Sequence, residues 1–436
     1  MASCSGDFNA DGHIDLAIAH YWDDYVTVLL GSGDGQFAPA TTFGVGDYPH
    51  GMCVDDLDED GDLDLAVANY GSDNVTILLN NGDGNFSPGI QYAAKDGPWG
   101  ICTGDFDEDG HLDLAVSDAC HDIETKEISV LLGVGDGTFA PAVFYATGTS
   151  SRSVCADDFN EDGHTDLAVV NSETDNVSIL LGAGDGTFSA ATNFRTIDGP
   201  FFLCKGDFNE DGHVDLGIAN NVSLDASVLL GDGNGSFAAP VKYATGDKNY
   251  SLCSADFDRD GHLDLALANF NGDDFSILLG QGDGTFAPAV NFPAGDGPMC
   301  IIASDFDEDG STDIAVTTNY SGEVSILINL TEGGESAVPG SFELPGPILG
   351  QNYPNPFNPR TTIHFDLSVE SFVELAVYSV AGRCVTTLLR GVRGKGNNAV
   401  AWDGRDTSGR SVPTGTYFYR LEAGDFSETR RMVLIR

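Results

Sequence analysis

The sequence predicts an all-β chain: a seven-bladed β-propeller followed by a small β-sandwich. Three observations carry this. A nine-residue acidic loop recurs seven times, its first aspartates spaced 49, 49, 53, 49, 49 and 49 residues apart. Each interval holds four short runs rich in apolar and β-branched residues, with no helical periodicity. Charge also divides the chain: residues 1–347 carry 8 Lys/Arg against 60 Asp/Glu, whereas residues 348–436 carry 11 against 8. A four-stranded unit of this length cannot bury its own apolar face, so the units must stack, and a ring of them is a propeller.

The loop reads D-x-[DN]-x-D-G-x-x-D. Oxygens at positions 1, 3 and 5 converge only if the chain curls tightly, which the Gly at position 6 permits. Position 7 offers its backbone carbonyl, and the Asp at position 9 closes the cage. Positions 1, 3, 5, 7 and 9 are Asp7, Asn9, Asp11, His13 and Asp15 in the first loop, and Asp56, Asp58, Asp60, Asp62 and Asp64 in the second. The third has Asp105, Asp107, Asp109, His111 and Asp113, and the fourth Asp158, Asn160, Asp162, His164 and Asp166. The fifth has Asp207, Asn209, Asp211, His213 and Asp215, and the sixth Asp256, Asp258, Asp260, His262 and Asp264. The seventh has Asp305, Asp307, Asp309, Ser311 and Asp313. Hard oxygen donors suit Ca²⁺, and without a cation these carboxylates would repel, so about seven Ca²⁺ ions are expected. One copy alone would equally be an acidic solvated turn.

In the second unit the four runs are expected at Gly51–Leu57, Leu63–Asn69, Val75–Leu79 and Phe86–Tyr92. The metal loop joins the first two. Gly-Asp-Gly turns such as Gly135-Asp136-Gly137 join the last two, supplying the positive φ angles of a tight hairpin. The seventh unit shows no clear fourth run after Ile326-Leu327-Ile328-Asn329, so ring closure is open, with residues 337–344 a candidate outer strand. Cys4, Cys53, Cys102, Cys155, Cys204 and Cys253 each stand three residues before a loop, and Cys300 five before. Such repetition is expected of a small core residue rather than of a disulfide half.

The motifs DFDEDGHLDLAVS (105–117), VSILLGAGDGTF (177–188) and DGPWGIC (96–102) make residues 1–330 resemble FG-GAP/VCBS repeat proteins, a type also seen in integrin α-chain propellers. The resemblance implies seven blades with one calcium in each first hairpin. Residues 331–350 read as a Gly/Pro/Ser linker. Residues 351–436 alternate as short strands (Thr361–Leu367, Val373–Val380, Asn398–Trp402, Thr416–Leu421, Thr429–Ile435), a β-sandwich pattern. YPNPFNPRTTIHFDL (353–367), WDGRDTSGR (402–410) and GTYFYRLEAG (415–424) resemble a FlgD-like Ig domain of the type IX secretion (T9SS) type A sorting class. That likeness implies export through a bacterial outer membrane by secretion machinery that reads this tail.

Formal net charge is −49, which excludes nucleic acid as an obvious partner. No apolar run reaches membrane-spanning length. No signal peptide is visible, and the first unit starts so abruptly that the N-terminus is expected to be incomplete. An extracellular or bacterial cell-surface location and a monomer are expected.

The repeats can be compared with one another. Six residues before most loops, in a nearly constant Asp-Gly-Pro…Cys frame, stand His50, Trp99, Arg152, Phe201, Tyr250 and Met299. One variable bulky position in a constant frame should ring the mouth of the central channel. Trp22, Tyr70, Phe270 and Tyr320, in the loops after each second strand, should lie nearby. Exposed aromatics at a concave mouth suit sugar rings or an apolar peptide anchor, though the same residues can plug a channel. His20, His50, His121 and Arg152, with Asp118 or Asp122, are the unusual polar groups on that face. No nucleophile elbow, zinc motif or phosphate loop accompanies them. The expected function is a calcium-binding adhesion or binding module for a glycan or extracellular protein, not an enzyme. The alternatives are a carbohydrate-active lyase or hydrolase on the same scaffold, and a structural surface component.

Overall fold

A computed structural model describes residues 2–119, 127–319, 323–329, 342–343, 348–349, 355, 357, 359–367, 371–379, 383–394, 396–424 and 426–434. Two compact units divide it, Met1–Phe342 and Glu343–Arg436. The first unit is a propeller of seven four-stranded antiparallel sheets, each with its strands in sequence order.

The second blade shows how the sequence makes one sheet. Its strands are Pro49–Asp55, Asp64–Asn69, Asn74–Leu78 and Ile90–Ala93. Burial falls along this order: the second strand is buried at every position, and the fourth is almost wholly exposed. The middle strands are sandwiched between neighbouring blades, so both faces are apolar and the period-2 alternation disappears from Leu65–Ala68. The fourth strand is shorter than the run Phe86–Tyr92 predicts. Phe86 instead bridges to Asn80, because its ring packs edge-on against Phe8 of the preceding blade at 5.8 Å.

Blades are glued by wedges of side chains from two neighbours. Phe8, Val26 and Val28 meet Leu65, Val67 and Leu78 in one of these. At ~1.5–3 kcal/mol per fully buried large aliphatic or aromatic side chain, such wedges dominate the stability of the ring. The repeated cysteines pack here: Cys4 at the first wedge, Cys53 at the next, with Cys102, Cys155 and Cys204 following. All the described cysteines are free thiols, and burial raises the pKa of Cys4, Cys53 and Cys102 far above the ordinary range.

The ring closes. The first strand, Ser3–Gly6, touches both Pro49–Asp55 of the second blade and Pro298–Ser304 of the seventh. Leu16, Leu29 and Phe37 share a wedge with Phe306, Ile326 and Ile328, and Gly35 donates its N–H to the Phe306 carbonyl at 3.0 Å. The outer strand of the seventh sheet is Phe342–Glu343, inside the stretch 337–344.

The second unit pairs a three-stranded sheet with a four-stranded one. Ile363, Phe365 and Leu367 of one sheet and Val373, Leu375 and Val377 of the other share a single core, as a sandwich requires. Trp402 is buried there, its indole N–H donating to the Arg405 carbonyl at 2.9 Å. The strand Cys384–Arg393 is additional to the sequence expectation. It is an edge strand with little burial, so its apolar alternation is weak.

Candidate metal loops and binding mouth

All seven loops have one geometry. In the first, the Asp7 carboxylate accepts the N–H groups of Asp11 (3.2 Å) and Gly12 (2.8 Å), and Asp11 accepts that of His13 (2.9 Å). The chain turns through two left-handed residues. Gly12 at position 6 has φ 92°, and Ala10 at position 4 has φ 54°. Glu59, Glu108, Glu161, Glu210, Arg259 and Glu308 repeat the latter with φ between 57° and 61°. A non-glycine residue held there costs about 1 kcal/mol, seven times over, and nothing in the loop motif announces it.

Position 9 does more than close a cage. Asp15 accepts the N–H of Phe8 at 2.8 Å and of Gly31 at 2.6 Å. The same double clamp recurs in every blade, for example Phe106 (2.7 Å) and Gly133 (2.6 Å) on Asp113. It ties loop, second strand and end of third strand together. Burial, reinforced by the neighbouring loop carboxylates, pushes Asp64 and Asp264 up to about 7. It pushes Asp113, Asp166, Asp215 and Asp313 to about 6.

The carboxylates converge. One oxygen each from Asp56, Asp58 and Asp64 lie within 4.8 Å of one another, as do those of Asp105, Asp107 and Asp113, of Asp256, Asp258 and Asp260, and of Asp305, Asp307 and Asp313. Ligand atoms ~2.3–2.6 Å from one Ca²⁺ lie at most about 5 Å apart, so these groups are close enough to share an ion. Asn9, Asn160 and Asn209 present an amide oxygen in the other three loops, each oxygen accepting the N–H of the position-5 Asp. An Oδ1 of Asp58 and one of Asp105 are buried without a hydrogen-bond partner. A bare carboxylate oxygen facing other carboxylates suits coordination of a cation. These loops can hold a hard divalent ion.

At position 7 the side chain also has a use. The imidazoles of His13, His111, His164, His213 and His262 each bond, through Nδ1, to the position-4 glutamate of the preceding blade: Glu308, Glu59, Glu108, Glu161 and Glu210. That bond raises the pKa of each of these histidines. The two exceptions match. Asp62 follows a blade whose position 4 is Ala10, and Ser311 accepts from Arg259 at 3.4 Å.

On the face opposite the loops the blades disagree. His50, Trp99, Arg152, Phe201 and Tyr250 converge. The His50 and Trp99 rings lie 3.4 Å apart, Trp99 and Phe201 5.9 Å, Phe201 and Tyr250 4.9 Å. The Arg152 guanidinium sits over Trp99 at 4.0 Å and Phe201 at 5.4 Å. Tyr70 abuts Trp99 at 5.6 Å and Phe270 abuts Tyr250 at 4.9 Å. Tyr21 extends the network to Tyr48 and Trp22, stacking on the first at 5.1 Å and meeting the second edge-on at 4.8 Å. The central members are half-buried against one another, while Trp22 is 69 % exposed and Tyr48 40 %. The patch therefore grades from a packed centre to an open rim. Burial holds His50 well below its ordinary pKa, so it is neutral and Arg152 is the charge at the centre.

Met299 holds the equivalent strand position, half-buried. Tyr320, Cys120, His121 and Asp122 lie outside the described residues. His20 packs at a tilt against Tyr25, ring centroids 4.6 Å apart. Asp118 is buried and accepts from Ser129 at 3.4 Å, so it forms no pair with His50 or Arg152.

Two members escape the sequence reading. Tyr48 and Lys248 replace the glycine of the Asp-Gly-Pro frame, as does Ser150, and all three keep its left-handed backbone (φ 54°, 67° and 60°). Lys248 lies 5.4 Å from both Tyr250 and Phe270. The signal was the broken frame itself. Holding Tyr48 and Lys248 at positive φ costs about 1 kcal/mol each, and such strain collects at functional sites.

The FG-GAP-like repeat family matches residues 7–67, 56–116, 158–218, 207–267 and 256–316, and the FlgD Ig-like domain family matches 358–425. No curated protein matches the chain. Among solved structures, BBS1N in complex with ARL6DN is similar at 14 % identity and TM-score 0.52, covering 74 % of this chain and 90 % of that one. The Pseudomonas aeruginosa periplasmic gluconolactonase PpgL is similar at 16 % and 0.51, covering 66 % and 85 %. A Lactobacillus plantarum protein is similar at 12 % and 0.50, covering 87 % and 94 %. At these identities the likeness is one of fold. Among the described residues no helix is long and apolar enough to cross a membrane.

Proposed function

Because the chain belongs to the FG-GAP-like repeat proteins, whose matches span more than half of it, we propose that it is a calcium-stabilised propeller that binds an extracellular ligand at its aromatic mouth. The loops are scaffold: Ca²⁺ would neutralise each acidic hairpin and hold it against the next blade. When bound, the ion supplies charge compensation and fixed geometry, and the side-chain oxygens at positions 1, 3, 5 and 9 would hold it. The observation that carries the reading is the continuous ring network from Phe270 to Trp22. Aromatic faces with an exposed rim, built partly on strained backbone, suit a ligand with flat apolar faces, a glycan before a peptide. On a glycan array that responds to the wild type, Trp99→Ala with Tyr250→Ala should abolish retention. Unaltered binding would move the site elsewhere.

The FlgD Ig-like unit supports a secreted or surface-attached bacterial protein, with the tail read by the type IX machinery. Removing residues 348–436 should strand the protein in the periplasm of a type IX-competent host; normal export would defeat that role.

A further inference from the structure

The cations of the mouth are the unusual feature of a strongly acidic unit. Lys95, Lys205 and Lys242 each pair with a carboxylate, of Glu127, Asp157 and Asp225. Arg152 and Lys248 do not; among the described residues Arg195 on an outer strand and Arg259 in a loop also lack an ion pair, but Arg152 and Lys248 are the ones that lie against the rings of the mouth. Among the described residues no carboxylate lies within ion-pair distance of either. Arg152 makes one long bond, from Nε to Ser172 Oγ at 3.4 Å, and Glu173 is near enough to be felt but not to pair. The guanidinium lies on Trp99, half-buried, with its remaining N–H groups uncommitted.

The frame around both cations has lost acids that the other blades keep. Asp47, Asp96, Asp198, Asp247 and Asp296 stand three residues before the ring position; in the Arg152 blade that place is Thr149. In the turns after the second strands, Asp24, Asp73, Asp175 and Asp273 accept the N–H of the left-handed residue in the next blade, at 2.9–3.0 Å. Below Lys248 that aspartate is Leu224. Two cations thus stand where two separate frame carboxylates are missing. A partly desolvated guanidinium without an anion is an unmet electrostatic demand, and its planar fork matches a carboxylate.

We propose that the mouth binds a carboxylated glycan, a uronate-containing chain whose sugar rings lie on Trp99, Phe201 and Tyr250 while Arg152 takes one carboxylate and Lys248 a second. This rests on the mouth being the binding face. Charge complementarity chooses the ligand: a neutral glycan would leave both cations unanswered, inside a unit whose overall charge needs no further positive groups for solubility.

The test uses the full chain in Ca²⁺ with short oligogalacturonates and oligoalginates, each beside its carboxyl-reduced, neutral counterpart. The acidic form of at least one should bind about tenfold or more tightly than its reduced partner, as loss of a charge-assisted bidentate contact predicts. Added salt should weaken it. Arg152→Gln, with unchanged melting temperature, should erase the preference, and Lys248→Gln should reduce it. Equal binding of acid and reduced forms, or a preference that survives Arg152→Gln, overturns the inference. If neutral sugars bind and Trp99→Ala abolishes it, the mouth stands and only the acidic specificity fails. Capture of poly-glutamate but not of uronates would assign the cations to an acidic protein and overturn the glycan. If the wild type binds none of these, the inference is wrong, and the array with Trp99→Ala decides the mouth separately.

Discussion

The two faces of the propeller are built on opposite rules. On the loop face each blade repeats its neighbour, and departures are compensated: where position 7 is not His, position 4 of the preceding blade is not Glu. On the mouth face the blades diverge, and departures from the shared frame leave strain, unpaired cations and orphaned atoms. Ser150 has φ 60° with a buried hydroxyl lacking a partner, and Asp118 buries an acid where other blades carry Asn. Regularity of this kind serves stability, and uncompensated divergence is what the proposed binding site would require.

The largest effect should come from removing the cation. At Ca²⁺ a hundredfold above Kd, each site adds about 2.7 kcal/mol, and up to seven act together. Melting in EDTA should therefore fall steeply; an unchanged melting temperature would show that the loops hold themselves. The pH dependence should change sign with the metal. In EDTA, burial raises the folded pKa of all seven position-9 aspartates, six of them to about 6 or 7, above the ordinary value of ~3.9. The folded form then binds protons more readily, so this stability is complete below pH ~4 and lost as pH rises through 6 and 7. With Ca²⁺ saturating, the carboxylates must be ionised to bind, and melting should rise over the same range. The same slope in both buffers would contradict metal binding at these groups.

Much of the loop face was legible because metal chemistry restricts residue types at fixed spacing. The seven position-9 aspartates follow from that alone. Their clamp on Phe106 and Gly133 does not, because its donors are backbone groups that carry no sequence signature. The His–Glu pairs were invisible for another reason: the partners sit about one repeat apart and meet only when blades stack. The blade-edge strand Ile90–Ala93 was misjudged because an exposed outer strand needs no apolar pattern, whereas Phe86, which has one, belongs to the wedge. On the mouth face, comparing repeats located the ring position from Trp99 and Tyr250. It missed Tyr48 and Lys248, since a glycine-frame position reads as backbone chemistry until a side chain is found doing something there.

A moderate effect should appear on the mouth face, with opposite sign to any change in the loops. Asn69, Asn171 and Asn269 occupy the place of Asp118, and their side-chain N–H groups donate to Thr76, Ser178 and Ser276 at 2.8–2.9 Å. Burial drives the Asp118 carboxyl strongly upward. Asp118→Asn restores the donor and removes a buried acid, and should stabilise by about 1–2 kcal/mol. Ser150→Gly removes an orphaned hydroxyl and a strained φ, for about 1–2 kcal/mol more. If both lower the melting temperature, the mouth is as optimised as the loops and the contrast collapses.

The smallest effect is the most direct probe of compensation. Ala10→Glu alone puts a carboxylate opposite Asp62, at one of the two junctions where neither partner is His or Glu. It should lower the melting temperature slightly, because exposed like charges repel weakly. Asp62→His alone gives an imidazole with no acid to face and should change little. Together they recreate the pair that five other junctions use, so the double variant should melt above the sum of the single changes, a positive interaction in a double-mutant cycle. Raising pH through the imidazole titration should erode the gain, since the partner glutamate raises the histidine pKa and the bond is strongest while the ring is protonated. Strict additivity across the pH range would mean that the five existing pairs are geometric neighbours without energetic coupling, and that the loop face keeps its regularity for the metal alone.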